Sequence, residues 1–248
     1  MKTVYINCSP KKRLSASGYL LAMLKLFTGG GRVTETLRTQ ADHARILEQI
    51  RDADAVVFGM PLYVDGVPSH VLPFMEAMER FCRENALHPR VYCVANNGFI
   101  EGRQNEPLMQ VLERFCERAG LRFGGGVGIG GGVMLNVTRI FFVVEIALLL
   151  LNMVLSGAQG EGFFPAEALI NFGENALLLL FFNLGVLYFL IRMAAAMRRG
   201  ADFGKRYTRI LLPSFVFILF ADIFFIIVSL FRGGIFRGWL ARKEPDAP

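Results

Sequence analysis

The segment Ser9-Pro10-Lys11-Lys12-Arg13-Leu14-Ser15-Ala16-Ser17 gathers hydroxyls and cations just ahead of a stretch with helical spacing. Free N–H groups and the dipole at a helix N-terminus favour an anion, and a monoester phosphate suits such a donor set. A Ser N-cap followed by solvated lysines accounts for the same residues equally well. The Gly-x-x-x-x-Gly-Lys-Ser/Thr spacing of a nucleoside-triphosphate loop is not found here, which makes kinase or ATPase chemistry a poor fit. A second segment, Gly59-Met60-Pro61-Leu62-Tyr63-Val64-Asp65-Gly66-Val67-Pro68, is apolar and stiffened by prolines. It could lie against a flat aromatic ring, or form a turn tucked under the next helix. A third, Asn96-Asn97-Gly98-Phe99-Ile100-Glu101-Gly102, offers amides for the edge of a heteroaromatic ring, though its composition also suits a tight turn.

These segments need elements to hold them. Short apolar or β-branched runs at Val4–Cys8, Val33–Leu37, Ala55–Gly59, Val91–Ala95 and Leu121–Val127 read as strands. Between them, Ser17–Thr28, Gln40–Asp52, Ser69–Glu84 and Asn105–Ala119 carry apolar stripes of helical period. In Ser69–Glu84, for example, Val71, Leu72, Met75, Met78 and Phe81 recur at that spacing while Glu76, Glu79, Arg80 and Arg83 fill the other face. The alternation predicts an α/β fold with a five-stranded parallel sheet and helices on both faces. Ligands of such sheets bind beyond the carboxyl ends of the strands, near the point where strand order reverses, and all three segments leave carboxyl ends.

In this order and at these strand ends, the segments resemble those of the flavodoxin-like NAD(P)H-dependent FMN reductase family. The likeness spans residues 1–135 and rests on the Ser-Pro-Lys loop, Pro61–Gly66, Gly98–Gly102 and Gly128–Leu135. It implies a flavodoxin-like FMN-binding domain with FMN as cofactor and NAD(P)H as electron donor. By that resemblance Ser9, Ser15, Ala16 and Ser17 hold the FMN phosphate, while Pro61, Leu62, Tyr63, Val64 and Asn97, Gly98, Phe99 flank the isoalloxazine ring. The flavin then carries the redox step, so no catalytic side chain is expected. The family usually has Gly before the Ser-Pro pair; Cys8 stands there instead, and its side chain would crowd the phosphate loop. Gly126-Val127-Gly128-Ile129-Gly130-Gly131 formally matches the dinucleotide fingerprint, but the acidic residue that follows, Glu145, falls within an apolar helix, so the tract reads as a flexible turn after the fifth strand.

The C-terminal part is written for another solvent. Ala176–Met197 and Ile210–Phe231 are each long enough to cross a hydrocarbon layer of about 30 Å. Ile140–Leu155 is shorter, holds Glu145 and Asn152, and either covers the sheet or spans. The chain is therefore expected to divide into a flavodoxin-like domain, 1–136, and a helical membrane domain, 137–248, with spans at 176–197, 210–231 and 140–155. Ser156–Asn175 carries Glu161, Glu167 and Glu174 without Lys or Arg, whereas Arg192–Arg209 is densely basic. Three spans put the basic segment and the N-terminal domain in the cytoplasm, although Arg232, Arg237, Arg242 and Lys243 then fall outside. Glu145 and Arg192 come to similar depths and could pair; Asp222 lies deeper.

Composition narrows the classes. The net charge of +6 goes with cytoplasmic loops beside membrane spans, and without an aromatic-interleaved basic stripe nucleic acid is not expected as a partner. The N-terminus is too quickly polar for a signal peptide. Cys8, Cys82, Cys93 and Cys116 are widely spaced, which points to reduced structural thiols and to no metal site. The expected function is a membrane-anchored FMN-dependent NAD(P)H oxidoreductase passing electrons to a quinone or other membrane-associated acceptor. The alternatives are a non-catalytic FMN-binding or degenerate flavodoxin-like module serving as sensor or assembly partner, and a small transporter using Asp222 and Glu145. Partners are then the lipid bilayer and a small-molecule acceptor, with a homodimer left open.

Overall fold

A strand covered on both faces needs an unbroken apolar run, and β3 (Ala55–Pro61) is buried at every residue. In the computed structural model, which describes residues 1–12, 15–160 and 162–231, it lies inside a fully parallel sheet. Its companions are β1 (Lys2–Asn7), β2 (Gly31–Thr36), β4 (Arg90–Asn96), β5 (Arg122–Gly130) and β6 (Gly204–Arg209). The order is β2-β1-β3-β4-β5-β6, so the sense in which successive strands are added reverses between β1 and β3. Helices cover both faces. On one, α2 (His43–Ile50), α3 (Leu72–Glu84) and α4 (Glu106–Ala119) bury Ile46, Phe74, Met78, Leu112 and Cys116 against Val4, Ile6, Phe58, Val91 and Cys93. On the other, α1 (Ala16–Thr28) lies beside α7 (Leu184–Arg198).

The sheet has six strands where five were expected, and the extra one comes from the segment read as a basic loop. β6 pairs with β5 from Gly125↔Gly204 to Gly130↔Arg209. Its sequence, Gly-Lys-Arg-Tyr-Thr-Arg, has no apolar run because it is an edge strand, where charge is tolerated and discourages further pairing. Ion pairs take the place of apolar packing. Lys205 Nζ lies 3.1 Å from Glu106 Oε1 and 2.9 Å from Glu113 Oε2, and the Tyr207 hydroxyl hydrogen-bonds the Glu106 carboxylate. At the other end, Asp202 meets Arg90 Nη1 at 2.6 Å and Arg122 Nε at 3.1 Å, and the Tyr92 hydroxyl donates to Ala201 O at 2.8 Å.

The span expected at 176–197 is corrected as well. It is two helices, α6 (Ala166–Phe182) and α7, which break at Asn183 and cross at 65°. In α7, Val186, Leu190, Met193 and Met197 recur at helical spacing and are fully buried, so this helix covers the sheet. By its contacts the chain divides into two compact units, Met1–Leu211 and Leu212–Pro248.

Between β5 and α7 the chain makes an excursion. α5 (Gly132–Ala158) buries Met134 and Leu135, then exposes Ile140, Phe141, Val143, Leu150 and Val154. α6 packs against it, with Phe142 and Phe172 rings 6.2 Å apart, and exposes Ile170, Leu177 and Phe181. Met134–Ala158 is long and apolar enough to cross a membrane, and the expected segment 140–155 lies within it. The pair Glu145–Arg192 is not formed. Glu145 lines a hollow of about 350 Å³ with Asn152, Asn171, Glu174 and Asn175 between α5 and α6, while Arg192 Nη1 donates to the Tyr188 hydroxyl at 3.0 Å. In the second unit, α8 (Ser214–Phe231) starts later than the expected 210, after Pro213, and exposes Phe215, Ile218, Leu219 and Asp222. Arg13, Leu14, Glu161 and the basic positions from Arg232 to Lys243 lie outside the described residues.

Candidate functional site

Two asparagines close otherwise apolar strands and hold the carboxyl edge together. Asn7, the last residue of β1, accepts at Oδ1 from Ser9 N at 3.1 Å and from Ser15 Oγ at 3.4 Å. Ser9 Oγ in turn accepts from Lys11 N at 3.4 Å. Ser15 caps α1: its backbone is extended and its Oγ accepts from Gly18 N at 3.1 Å. That leaves the N–H groups of Ala16 and Ser17 in the first turn, where no intrahelical carbonyl reaches them. Gly18 is required by close approach, since a Cβ there would sit 2.9 Å from Asn7 Nδ2.

Asn96, the last residue of β4, joins all three loops. Its Nδ2 donates to Ser17 Oγ at 2.7 Å and to Met60 O at 3.1 Å, and its backbone carbonyl accepts from Leu62 N at 2.7 Å. The Ser17 hydroxyl is thus a buried brace, leaving its N–H as the group at the helix start. Pro61 closes β3 opposite Asn96, and Leu62 is buried. Beyond it, Tyr63 and Gly66 bond each other's backbone, N to O, at 3.3 and 3.0 Å, around Val64 (φ 46°) and Asp65 (φ 56°). Successive left-handed residues make a primed hairpin turn. A β-branched residue pays strain for that conformation, and the Val64 side chain stands fully exposed at the tip, with Tyr63 beside it 41% exposed.

In the third loop, Asn97 N donates to Ile129 O at 3.1 Å and its Nδ2 to Glu101 O at 3.0 Å. Asn97 Oδ1 is buried with no partner, an acceptor still to be satisfied. Gly98 and Phe99 are exposed. The loop also seats α5, because Gly131 N donates to Phe99 O and Gly132 N to Asn97 O, at 2.6 and 2.7 Å. The glycine tract expected to be a flexible turn is instead the inner half of β5 followed by the left-handed Gly131. Its missing side chains admit neighbours: a Cβ on Gly128 would lie 2.7 Å from the Tyr207 ring and 2.8 Å from Gly102 O.

Cys8 does not crowd the first loop. Its side chain packs into the core shared with α2, α3 and α4, with Sγ 3.6 Å from Ile6 O, and burial pushes its thiol well up, helped by Cys93. The structure therefore brings Ser9, Ser15, Ala16 and Ser17 to one strand end and ties them through Asn96 to Pro61–Val64 and Asn97–Phe99. Asn7 was not among the residues picked from the sequence, and Asn96 was read there only as one of the amides of the third segment, although a polar residue ending a buried strand was a usable signal for both. A hollow of about 450 Å³ lies beside the second and third loops, lined by Asp65, Glu101, Arg103, Gln104 and Pro107. A larger one, about 930 Å³, opens away from the loops, among Leu72, Met75, Gln110, Val111, Arg114 and Lys205.

No family model and no curated protein matches the chain. Among solved structures it is similar to the Trp repressor binding protein from Bacillus subtilis, at 19% identity over 52% of this chain and 85% of that one, TM-score 0.43. It is similar also to an NADPH-quinone reductase from P. pentosaceus (14% identity, 55% and 94% covered, TM-score 0.44) and to general stress protein 14 in complex with FMN from Treponema denticola (12%, 50% and 82%, 0.41). At such scores the likeness carries no argument. The strand order does: a parallel β2-β1-β3-β4-β5 sheet, with its loops at the switch point, is the flavodoxin-like arrangement, here widened by β6.

Proposed function

We propose that the chain is an FMN-dependent NAD(P)H oxidoreductase, anchored in a membrane by α5, α6 and α8, that delivers electrons to a quinone or another membrane-associated acceptor. The observation that carries the reading is the convergence of three loops on Asn96, with a Ser-capped helix start on one side and an unsatisfied buried amide oxygen on the other. These residues fit FMN. Ser9, Ser15 and the N–H groups of Ala16 and Ser17 would hold the phosphate, with Lys11 and Lys12 adding charge. Pro61–Val64 and Asn97–Phe99 would bracket the ring, and Asn97 Oδ1 would accept a ring N–H. When bound, FMN supplies two-electron transfer chemistry. The chain's own part is to bind, orient and shield: Leu62 and Tyr63 would give apolar contact.

With α5 and α6 as two spans and α8 as a third, the basic segment 192–209 belongs to the cytoplasmic sheet domain, in keeping with the positive-inside rule. An absorbance scan of detergent-purified protein tests the reading. A flavin spectrum that bleaches on anaerobic addition of NAD(P)H supports the enzyme; a flavin spectrum that does not bleach supports the binding module; a colourless folded protein refutes both.

A further inference from the structure

We infer that the loop edge of the sheet faces the bilayer, so that Tyr63, Val64 and Phe99 rest in the lipid headgroup layer and the cofactor loops open toward the membrane. The inference rests on the anchoring part of the proposed function and not on its flavin. Within the first unit, the chain both leaves the sheet domain for α5 and returns from α6 at this one edge. α5 starts at Gly132, bonded to Asn97 O of the third loop. The excursion returns at Phe182, whose carbonyl accepts from Leu211 N at 2.9 Å, two residues beyond the carboxyl end of β6. Opposite, the amino edge is finished with ion pairs, Asp202 with Arg90 and Arg122 and Lys2 with Asp52.

The levels agree. In α5 the exposed apolar face begins directly after Arg139, whose guanidinium lies 5.3 Å over the Tyr19 ring of α1, an arrangement suited to an interfacial anchor. From Ile140 to Ala158 the helix rises about 28 Å, close to the thickness of a hydrocarbon core. Between Gly132 and Arg139 it rises about 10 Å, and Val64, three extended residues past Pro61, reaches at most about 10 Å beyond its own strand. The turn that lifts Val64 there is strained and presents an aliphatic side chain to whatever lies outside, with Phe99 on the neighbouring loop 59% exposed. Water gives such a tip no return for its strain, whereas a lipid interface does. Lys11, Lys12 and Arg209 are exposed along the same edge, among Asp65, Glu101 and Arg103, and suit a surface of anionic headgroups.

The four native cysteines are all buried, so single cysteines can be labelled in the otherwise native protein. Val64→Cys, Phe99→Cys and, at the amino end of the sheet, Glu84→Cys would each carry an environment-sensitive fluorophore. The full chain is reconstituted in phosphatidylcholine–phosphatidylglycerol vesicles containing a lipid with a nitroxide on its headgroup. Labels at 64 and 99 should be blue-shifted and quenched several-fold more than the label at 84. Equal, water-like emission at all three positions, with the protein retained in the vesicles, overturns the orientation alone. Loss of the protein from the vesicles on alkaline washing overturns the orientation and the anchoring together. Quenching at 64 and 99 in protein that takes up no flavin supports the orientation while the FMN assignment fails.

Discussion

Replacing Asn96 by Ala should cost more than any other single change at the loop edge. The amide makes two buried hydrogen bonds, 2.7 Å to Ser17 Oγ and 3.1 Å to Met60 O, and both acceptors are almost wholly shielded from water. Each bond contributes about 1 kcal/mol net, and each buried acceptor left without a donor adds desolvation, for about 2–4 kcal/mol in total. For a chain of this size that lowers the melting temperature by roughly 5–15 °C. Far-UV circular dichroism of detergent-purified protein reads the melt. Because α1 and the second loop lose the same brace, FMN affinity, measured by fluorescence titration, should fall by about tenfold or more, a change of about 1.4 kcal/mol. Ser17→Ala removes only one bond, so the double variant should be about 1 kcal/mol more stable than the sum of the single effects predicts. A melt for Asn96→Ala within about 2 °C of the parent, or strict additivity with Ser17→Ala, would refute the claim that this residue ties the loops.

Gly132→Ala should push its Cβ to 2.8 Å from Asn97 O, destabilise the chain by about 1–3 kcal/mol and weaken flavin binding with it; unchanged binding would detach the start of α5 from the site. Asp202 is held below the usual carboxylate range, chiefly by the hydrogen bond from Arg122, so its clasp on the segment before β6 stabilises the fold above the unfolded value of about 3.9 and is lost as pH falls through the lower folded one. Asp202→Asn should therefore lower the melting temperature slightly at pH 7, by the equivalent of less than about 1 kcal/mol for so exposed a pair, and converge with the parent in acid; a gap that widens in acid would be the wrong sign. Burial pushes the thiols of Cys82 and Cys116 up to about 11 and about 12 and those of Cys8 and Cys93 up as well. None should react with a thiol reagent at pH 8 until the protein is unfolded, and one rapid equivalent would contradict the packing.

Most of the strands and helices up to Ala119 were legible because they obey one period: β1, β3 and β4 are buried on both faces, and α3 and α4 have a single apolar stripe. The three loops were legible for the same reason, since they begin where those runs stop. Their wiring was not. Asn7 and Asn96 act through one amide each, and nothing in the sequence says that Asn96 reaches Ser17, 79 positions away. The C-terminal half misled for a different physical reason. Residues 176–197 are apolar but for Asn183 and Arg192, yet α6 shows its side chains outward while α7 buries its stripe on the sheet, and hydropathy does not distinguish lipid from protein interior. Only Asn183 marks the break. β6 was hidden by its charge, which sits on an edge strand and is spent on Glu106 and Glu113. The glycines of β5 looked flexible, yet they are there because Gly102, Tyr92 and Tyr207 press against that strand.

The most direct test of the account is the visible spectrum of the full chain purified from membranes in detergent, taken before and after anaerobic NAD(P)H. The account predicts a bound flavin at about one per chain, released by denaturation as FMN and bleached by the reductant. A folded chain that is colourless and takes up no FMN would contradict it.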